Sequence, residues 1–325
     1  MIFMKTRIKR IILNFNWMRN KCLLWTGYKW IMYEMLNKRI CIHADDLGAS
    51  ENINRTIKEG IDQGIINKVS LMMNGSALEE AVSIVKESSI NSALHLNFSE
   101  GRPLSSPQDV PLLINSEGQF KVGYASFWFS LSYNQMFKSQ VLTEIKSQVK
   151  RYQEFFPGKI KLDSHQHFHM IPPLMKLLLD AHKDAPLWDS IRTTREPFFF
   201  LKNHPGSTVK NIFSANIIKW LLLRFFDSIV HSRVKKYGIE TNDLFCGVLY
   251  SGNMKGDLYG SMAKKLNRNN TLETAELLFH PGQASEDEES LWSGQKQFYD
   301  FYISENRQEE GKELLSLLEK NRLFI

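Results

Sequence analysis

The chain has 325 residues, enough to bury a full core as one large domain or two smaller ones. Its 41 Lys and Arg against 35 Asp and Glu give a formal charge of +6. That whole excess lies in residues 1–34, where Lys5, Arg7, Lys9, Arg10, Arg19, Lys21 and Lys29 face Glu34 alone. Residues 35–325 are formally neutral, so the basic balance gives no ground for nucleic-acid binding by the body of the chain.

The basic leader is no signal peptide, because Ile11–Phe15 is too short and interrupted for an apolar core. Nor does it insert stably in a membrane. A spanning helix needs about 20 apolar residues, and Lys21 and Lys29 bracket only Cys22–Tyr28. A basic, aromatic segment could instead lie on an anionic membrane surface. The preferred reading has translation starting at Met32 or Met35, or the leader disordered, which leaves one domain over residues 35–325. Cys22, Cys41 and Cys246 are widely spaced and form no CxxC pair. This points to a reducing, cytoplasmic setting without a zinc-thiolate site.

From Lys38 on, short apolar runs alternate with helical patterns. Ile40–Ala44 reads as the first strand, and Ser50 then caps a helix carrying Ile53, Ile57 and Ile61 at fourfold spacing. Lys68–Asn74 predicts the second strand, and Ser76-Ala77-Leu78-Glu79 a capping box opening the next helix. In a third strand, Ser92–Phe98, Leu94, Leu96 and Phe98 alternate with His95 and Asn97. Residues 99–135, with Gly101, Pro103, Pro107, Pro111 and Gly118, read as loop. A helix over about 140–156 stops at Pro157-Gly158. A strand Ile160–Ser164, a helix over about 172–182 and a strand Ser190–Thr194 follow. Residues 197–215 read as irregular and about 215–236 as a long apolar helix. Phe245–Tyr250 and Ala275–Phe279 read as strands, and the C-terminal helix spans about 309–320. The alternation predicts an α/β fold: an irregular (β/α) barrel resembling a TIM barrel, with mostly parallel strands.

Four polar features sit in or just after predicted strands, towards their carboxyl ends. They are Asp45-Asp46, His95, the run Asp163-Ser164-His165-Gln166-His167-Phe168-His169, and His280 before Pro281-Gly282. In parallel α/β folds those ends converge on one face, where active sites are built. Adjacent carboxylates repel, and a bound cation is the usual reason to keep them. Each feature also has a plainer reading: His95 as a satisfied core histidine, Asp163 as a turn cap, His280 as a turn residue. Three histidines within five residues, beside two acids, favour a metal site, although only one or two of the run can reach a single ion. One carboxylate plus two imidazoles leaves coordination positions open, and suits zinc, iron, cobalt or nickel better than magnesium. With a second carboxylate as base and a histidine to protonate the leaving amine, these are the parts of metal-assisted amide or ester hydrolysis.

The segments His43–Ser50, Leu94-His95-Leu96-Asn97 into Glu100-Gly101-Arg102-Pro103-Leu104, Asp163–His169 and His280-Pro281-Gly282 resemble, in order and spacing, the YdjC/ChbG-like carbohydrate deacetylases. Lys68–Gly75 also resembles theirs, and the similarity covers about residues 37–325. It implies a barrel-like fold and removal of acetyl groups from N-acetylated sugars such as chitooligosaccharides. It further implies Asp46, His95 and His165 as metal ligands, Asp45 as general base and His280 as general acid. Arg192 would orient Asp45 or bind sugar, and the divalent ion would be magnesium by resemblance. The chain departs from the family at His43, where asparagine is usual, at Leu47 for phenylalanine, at Gln166 within the histidine run, and at Phe279, where cysteine often stands. The expected partner is an N-acetylated saccharide, with a homodimer left open. Two other functions compete: a non-catalytic sugar-binding protein on the same fold, and a hydrolase of another small acyl amide or ester. The rings of Tyr124, Phe127, Trp128, Phe129 and Tyr133 would stack on sugar or, preferably, pack into the core or an interface.

Overall fold

A computed structural model describes residues 40–199, 205–254, 258–269 and 271–322. The expectations for the basic leader fall outside the described residues.

Seven strands form one sheet: β1 (Ile40–Leu47), β2 (Lys68–Leu71), β3 (Asn91–Leu96), β4 (Ile160–Ser164), β5 (Trp188–Ile191), β6 (Leu244–Cys246) and β7 (Ala275–Phe279). Their spatial order is β5-β4-β3-β2-β1-β7-β6 and every pairing is parallel. Parallel neighbours need a crossover, and helices supply it, so both faces are covered and the strands are mostly buried, their polar residues included. The sheet curls into a half-barrel. Its open seam, between edge strands β5 and β6, is spanned by an isolated parallel bridge from Ser190 to Glu240 and by the Phe245 N–H, which donates to Arg195 O at 3.0 Å.

The first crossover shows how the carboxyl ends of the strands are shaped. β1 runs three residues beyond the expected Ala44, so both aspartates lie within it. Asp46 has φ +67°, and the register against β2 slips between Ala44 and Leu47. Helix α1 (Glu51–Asp62) starts at Ser50, whose hydroxyl accepts from the Ile53 N–H as expected. Its Ile53 and Ile57 are fully buried, each stabilising by about 1.5–3 kcal/mol. The expected capping box at Ser76 does not form. Helix α2 (Leu78–Ser88) starts at Ala77 without a side-chain cap, and the Ser76 hydroxyl donates instead to Ala49 O at 2.6 Å. That bond ties together the loops after β1 and β2, which run so close that a Cβ on Gly75 would lie 2.1 Å from Gly48 O.

Between β3 and β4 lie helices α3 (Tyr124–Tyr133) and α4 (Gln135–Phe155). The first was expected as loop, and the second starts five residues before the expected 140 because Asn134 caps it, accepting from the Phe137 N–H at 3.0 Å. After β4 the histidine run does not continue as strand. Residues 165–170 form a 3₁₀ turn, and helix α5 (Pro172–Asp184) follows. Helix α6 (Pro205–Ile212) lies in the segment read as irregular, and α7 (Asn216–Lys236) follows it. Two further short helices were not anticipated: α8 (Leu258–Arg268) and α9 (Lys296–Tyr302). Helix α10 (Glu305–Arg322) packs against α1 and β7.

Candidate metal and active site

At the carboxyl ends of β1, β3 and β4, Asp46, His95 and His165 each offer one ligand atom, and these atoms all lie within 4.8 Å of one another. The turn out of β1 makes this possible. With φ +67°, Asp46 holds a left-handed conformation that costs a non-glycine residue about 1–2 kcal/mol, and it aims the carboxylate across the sheet. Asp46 Oδ1 is 3.1 Å from His165 Nδ1 and 3.6 Å from His95 Nε2. Both imidazoles are anchored at their other nitrogen: His95 Nδ1 donates to Asp163 Oδ1 at 2.7 Å, and His165 Nε2 stands 3.1 Å from Glu100 Oε2. Carboxylates behind ligating histidines fix ring orientation and tautomer. His95 Nε2 is buried without a hydrogen-bond partner. A buried orphan nitrogen facing a carboxylate and a second imidazole is what a cation would satisfy, so this donor set fits a divalent ion.

The surrounding carboxylates set the charge of the cluster. Burial opposes ionisation of His95, yet Asp45, Asp163 and Asp46 raise it to about 10. His165 is likewise opposed by burial but raised to about 9 by Asp46 and Glu100. Asp46, despite burial, is held well below the carboxylate range by His165, His95 and Arg307. The cluster draws in positive charge from several sides.

Asp45 faces a different cation. Arg192, just past β5, donates from Nη1 to Asp45 Oδ2 and from Nη2 to Asp45 Oδ1, both at 2.9 Å. Its Nη2 is 2.8 Å from Asp163 Oδ2, and its Nε donates to Glu276 Oε1. Arg192 overcomes the cost of burying Asp45 and keeps that carboxyl ionised. Two other clusters with ligand-like spacing, His43-Asp45-Asp163 and Cys41-His43-Glu276, surround this guanidinium and Lys68, which already neutralise them. Arg192 has no exposed side-chain surface and does not line the cavity above the site. Of the two tasks expected of it, the geometry carries the orienting one.

A cavity of about 570 Å³ opens over the cluster, lined by Asp45, His95, His165 and His280 together with Phe120, Phe298 and Phe301. His280 follows β7, where its N–H donates to Glu310 Oε2 at 2.6 Å and its Nδ1 lies 3.3 Å from the same oxygen. Its Nε2 has no protein partner among the described residues. The departures from the family pattern fall unevenly. Gln166 lines the cavity, whereas Leu47 and Phe279 are core residues. His43 lies beneath the cavity, between Ser70 Oγ at 2.6 Å and Glu276 Oε1 at 2.8 Å. Tyr124, Phe127 and Trp128 do not line it either. Phe127 packs on Phe98, Phe137 and Phe168, Tyr124 on Phe168, and Trp128 on Phe226.

The sequence reading missed several residues. Arg307 Nη1 donates to Asp46 Oδ2 at 2.7 Å. Glu310 holds His280, Glu100 backs His165, and Glu276 anchors Arg192. Glu276 carried a signal as an ionisable residue inside an apolar strand, and Glu100 lay in the family-like segment after β3, though with no sign of its partner.

A parallel half-barrel with a carboxylate–imidazole cluster at its strand ends defines an α/β protein whose buried donors could hold a cation beside a second carboxylate, Asp45. The model of the YdjC-like proteins matches residues 39–320, and the chain belongs to that family. Relatives include proteins named carbohydrate deacetylase from Mus musculus, 28% identical over 76% of this chain and 79% of its own length, and from Homo sapiens, 28% identical over 76% of each. Another of that name, from Clostridium beijerinckii, is 31% identical over 49% of this chain and 66% of its own. A crystal structure from Enterococcus faecalis, described as a candidate cellobiose-phosphate cleavage protein, shares the fold with a TM-score of 0.52 at 15% identity, covering 85% of this chain and 94% of that one.

Proposed function

We propose that this chain is a metal-dependent hydrolase that removes the acetyl group from N-acetylated sugars of the chitooligosaccharide type. The observation that carries the reading is the division of labour in the Asp45-Asp46 pair. Asp46 meets two imidazoles, one with a buried, unpartnered nitrogen, while Asp45 lies on the cavity wall, held ionised by Arg192. The deacetylase relatives supply the reaction class. Phe120, Phe298 and Phe301 give the cavity apolar faces that suit sugar rings.

Asp46, His95 and His165 would hold a divalent ion, zinc or a similar metal by the softness of the two nitrogens and magnesium by family resemblance. When bound, the ion would polarise the acetyl carbonyl and acidify water. Asp45, oriented by two hydrogen bonds from Arg192, takes the proton of the attacking water. His280, braced by Glu310 and lining the same cavity, gives a proton to the leaving amine. A sugar-binding protein would have no use for a base fixed in this way. A cytoplasmic setting accords with the free Cys41 and Cys246.

Acetate release from diacetylchitobiose, measured with metal content on the same samples, tests the reading. Asp45→Asn should retain metal and lose about 10²–10⁴-fold in kcat. Asp46→Asn should lose both metal and activity. An Asp46→Asn protein that kept both would remove the assignment, and acetate release from a non-sugar acetamide but not from the sugar would move the function to another acyl amide.

A further inference from the structure

The histidine run contains an imidazole that the chemistry above does not use. His167 lines the same cavity as Asp45, His95, His165 and His280, and the residue is only 4% exposed. Its Nδ1 is buried without a partner, and no hydrogen bond to its other ring nitrogen is found among the described residues. Its neighbours are rings: Phe245 edge-on at 5.6 Å and His169 at 6.3 Å. This is unusual within the same core. His43, His165 and His169 have both ring nitrogens engaged, His169 with Ser164 Oγ at 2.6 Å and Arg192 O at 3.0 Å. The one other buried imidazole nitrogen without a partner among the described residues is His95 Nε2, which faces the candidate metal position.

His167 is not a third nitrogen ligand, since it does not belong to the donor groups close enough to share an ion. The backbone nevertheless goes out of its way to present it. Gln166 and His167 are consecutive non-glycine residues with φ of +53° and +59°, and both line the cavity. Tandem left-handed residues persist where the surrounding structure needs the side chains they aim. A buried imidazole without a protein partner on a cavity wall has hydrogen-bonding capacity to offer a ligand.

We propose that His167 is a specificity residue that hydrogen-bonds a hydroxyl of the saccharide. This rests on the carbohydrate reading above and adds to it the reason a sugar is preferred over a simple acetamide. A site built to pair a hydroxyl rejects analogues lacking it, because its own polar group is then left unpaired.

Direct binding tests this without depending on turnover. Titration calorimetry with diacetylchitobiose, and with N-cyclohexylacetamide as a ring without hydroxyls, is compared for the unmodified protein, His167→Ala and His167→Asn. Asparagine tolerates the left-handed conformation, so it preserves the turn if alanine does not. The expected result is a tenfold or greater loss of sugar affinity in the folded variants, with metal content unchanged and preference for the sugar over N-cyclohexylacetamide reduced. Sugar affinity within twofold of the unmodified protein in His167→Asn would overturn the proposal, as would a loss explained by missing metal. If the unmodified protein binds the sugar through His167 but releases no acetate, the deacetylase reading fails and the assignment of His167 stands. If it binds no sugar, both fail.

Discussion

Both imidazoles of the proposed metal site hold protons that a ligating nitrogen would have to give up, and this residue-scale conflict has a measurable consequence. In the ion-free chain His95 is raised to about 10 and His165 to about 9, so both carry a proton at neutral pH, while Asp46 is already ionised. Metal binding therefore expels two protons and competes with them. Affinity should rise with pH from about 6 to 9, by at most about a hundredfold per unit. Calorimetry in buffers of different ionisation enthalpy should report release of close to two protons at pH 7. Release near zero would mean that the imidazoles are neutral before the ion arrives. The candidate site residues were legible in the sequence because each stands in or at the end of an apolar run: Asp45, Asp46, His95, His165 and His280 are brought together at one place. Their supports were not. Arg307 and Glu310 lie among the many charges of residues 305–313, and nothing in that pattern marks which are buried; Glu100 lay in the family-like segment but with nothing to mark it as buried behind His165.

At the scale of elements, the site depends on two loops packed backbone to backbone. Gly48, at φ +99°, accepts from the Ala77 N–H at 3.0 Å, and Gly75 lies against its carbonyl. Gly75→Ala would place a methyl 2.1 Å from Gly48 O, where neither backbone can yield without moving β1. The variant should lose about 2–3 kcal/mol by chemical denaturation. It should also lose metal affinity, since Asp46 lies two residues before Gly48. An unchanged denaturation midpoint would show that the loops can separate. Elements were legible where periodicity was clean. β4 and β7 fall at their expected bounds because short apolar runs end at polar or turn residues. Helix α3 was hidden because Tyr-Ala-Ser-Phe-Trp-Phe-Ser-Leu-Ser-Tyr is apolar and aromatic on every side: Phe127 and Leu131 are buried while Phe129 and Tyr133 are exposed, so no stripe appears. The course of the histidine run after β4 had no such signal. Its alternation suggests strand, but two left-handed residues fold it into a turn that sends His165, His167 and His169 to different partners.

Across the whole molecule, the last helix fastens what the first strand opens. Arg307 of α10 is 1% exposed, and it bonds Asp46 while also donating to Gly282 O at 2.8 Å and Pro281 O at 3.3 Å, the turn behind His280. Three residues on, Glu310 holds His280 itself. One helical turn thus joins the proposed metal ligand to the proposed acid, and the half-barrel, lacking a closed sheet, uses it as a clasp. Removing one partner of a buried ion pair leaves the other charge uncompensated, at a cost of about 3–5 kcal/mol. Arg307→Ala should therefore lower the melting temperature of the metal-free protein substantially. A divalent ion would return a positive charge to Asp46 but would not replace the donors to Gly282 and Pro281. Metal should then raise the melting temperature of Arg307→Ala more than that of the unmodified protein, without restoring it fully. Equal shifts in the two proteins would show that Asp46 does not need Arg307 as its counter-charge, and would separate the clasp from the metal site.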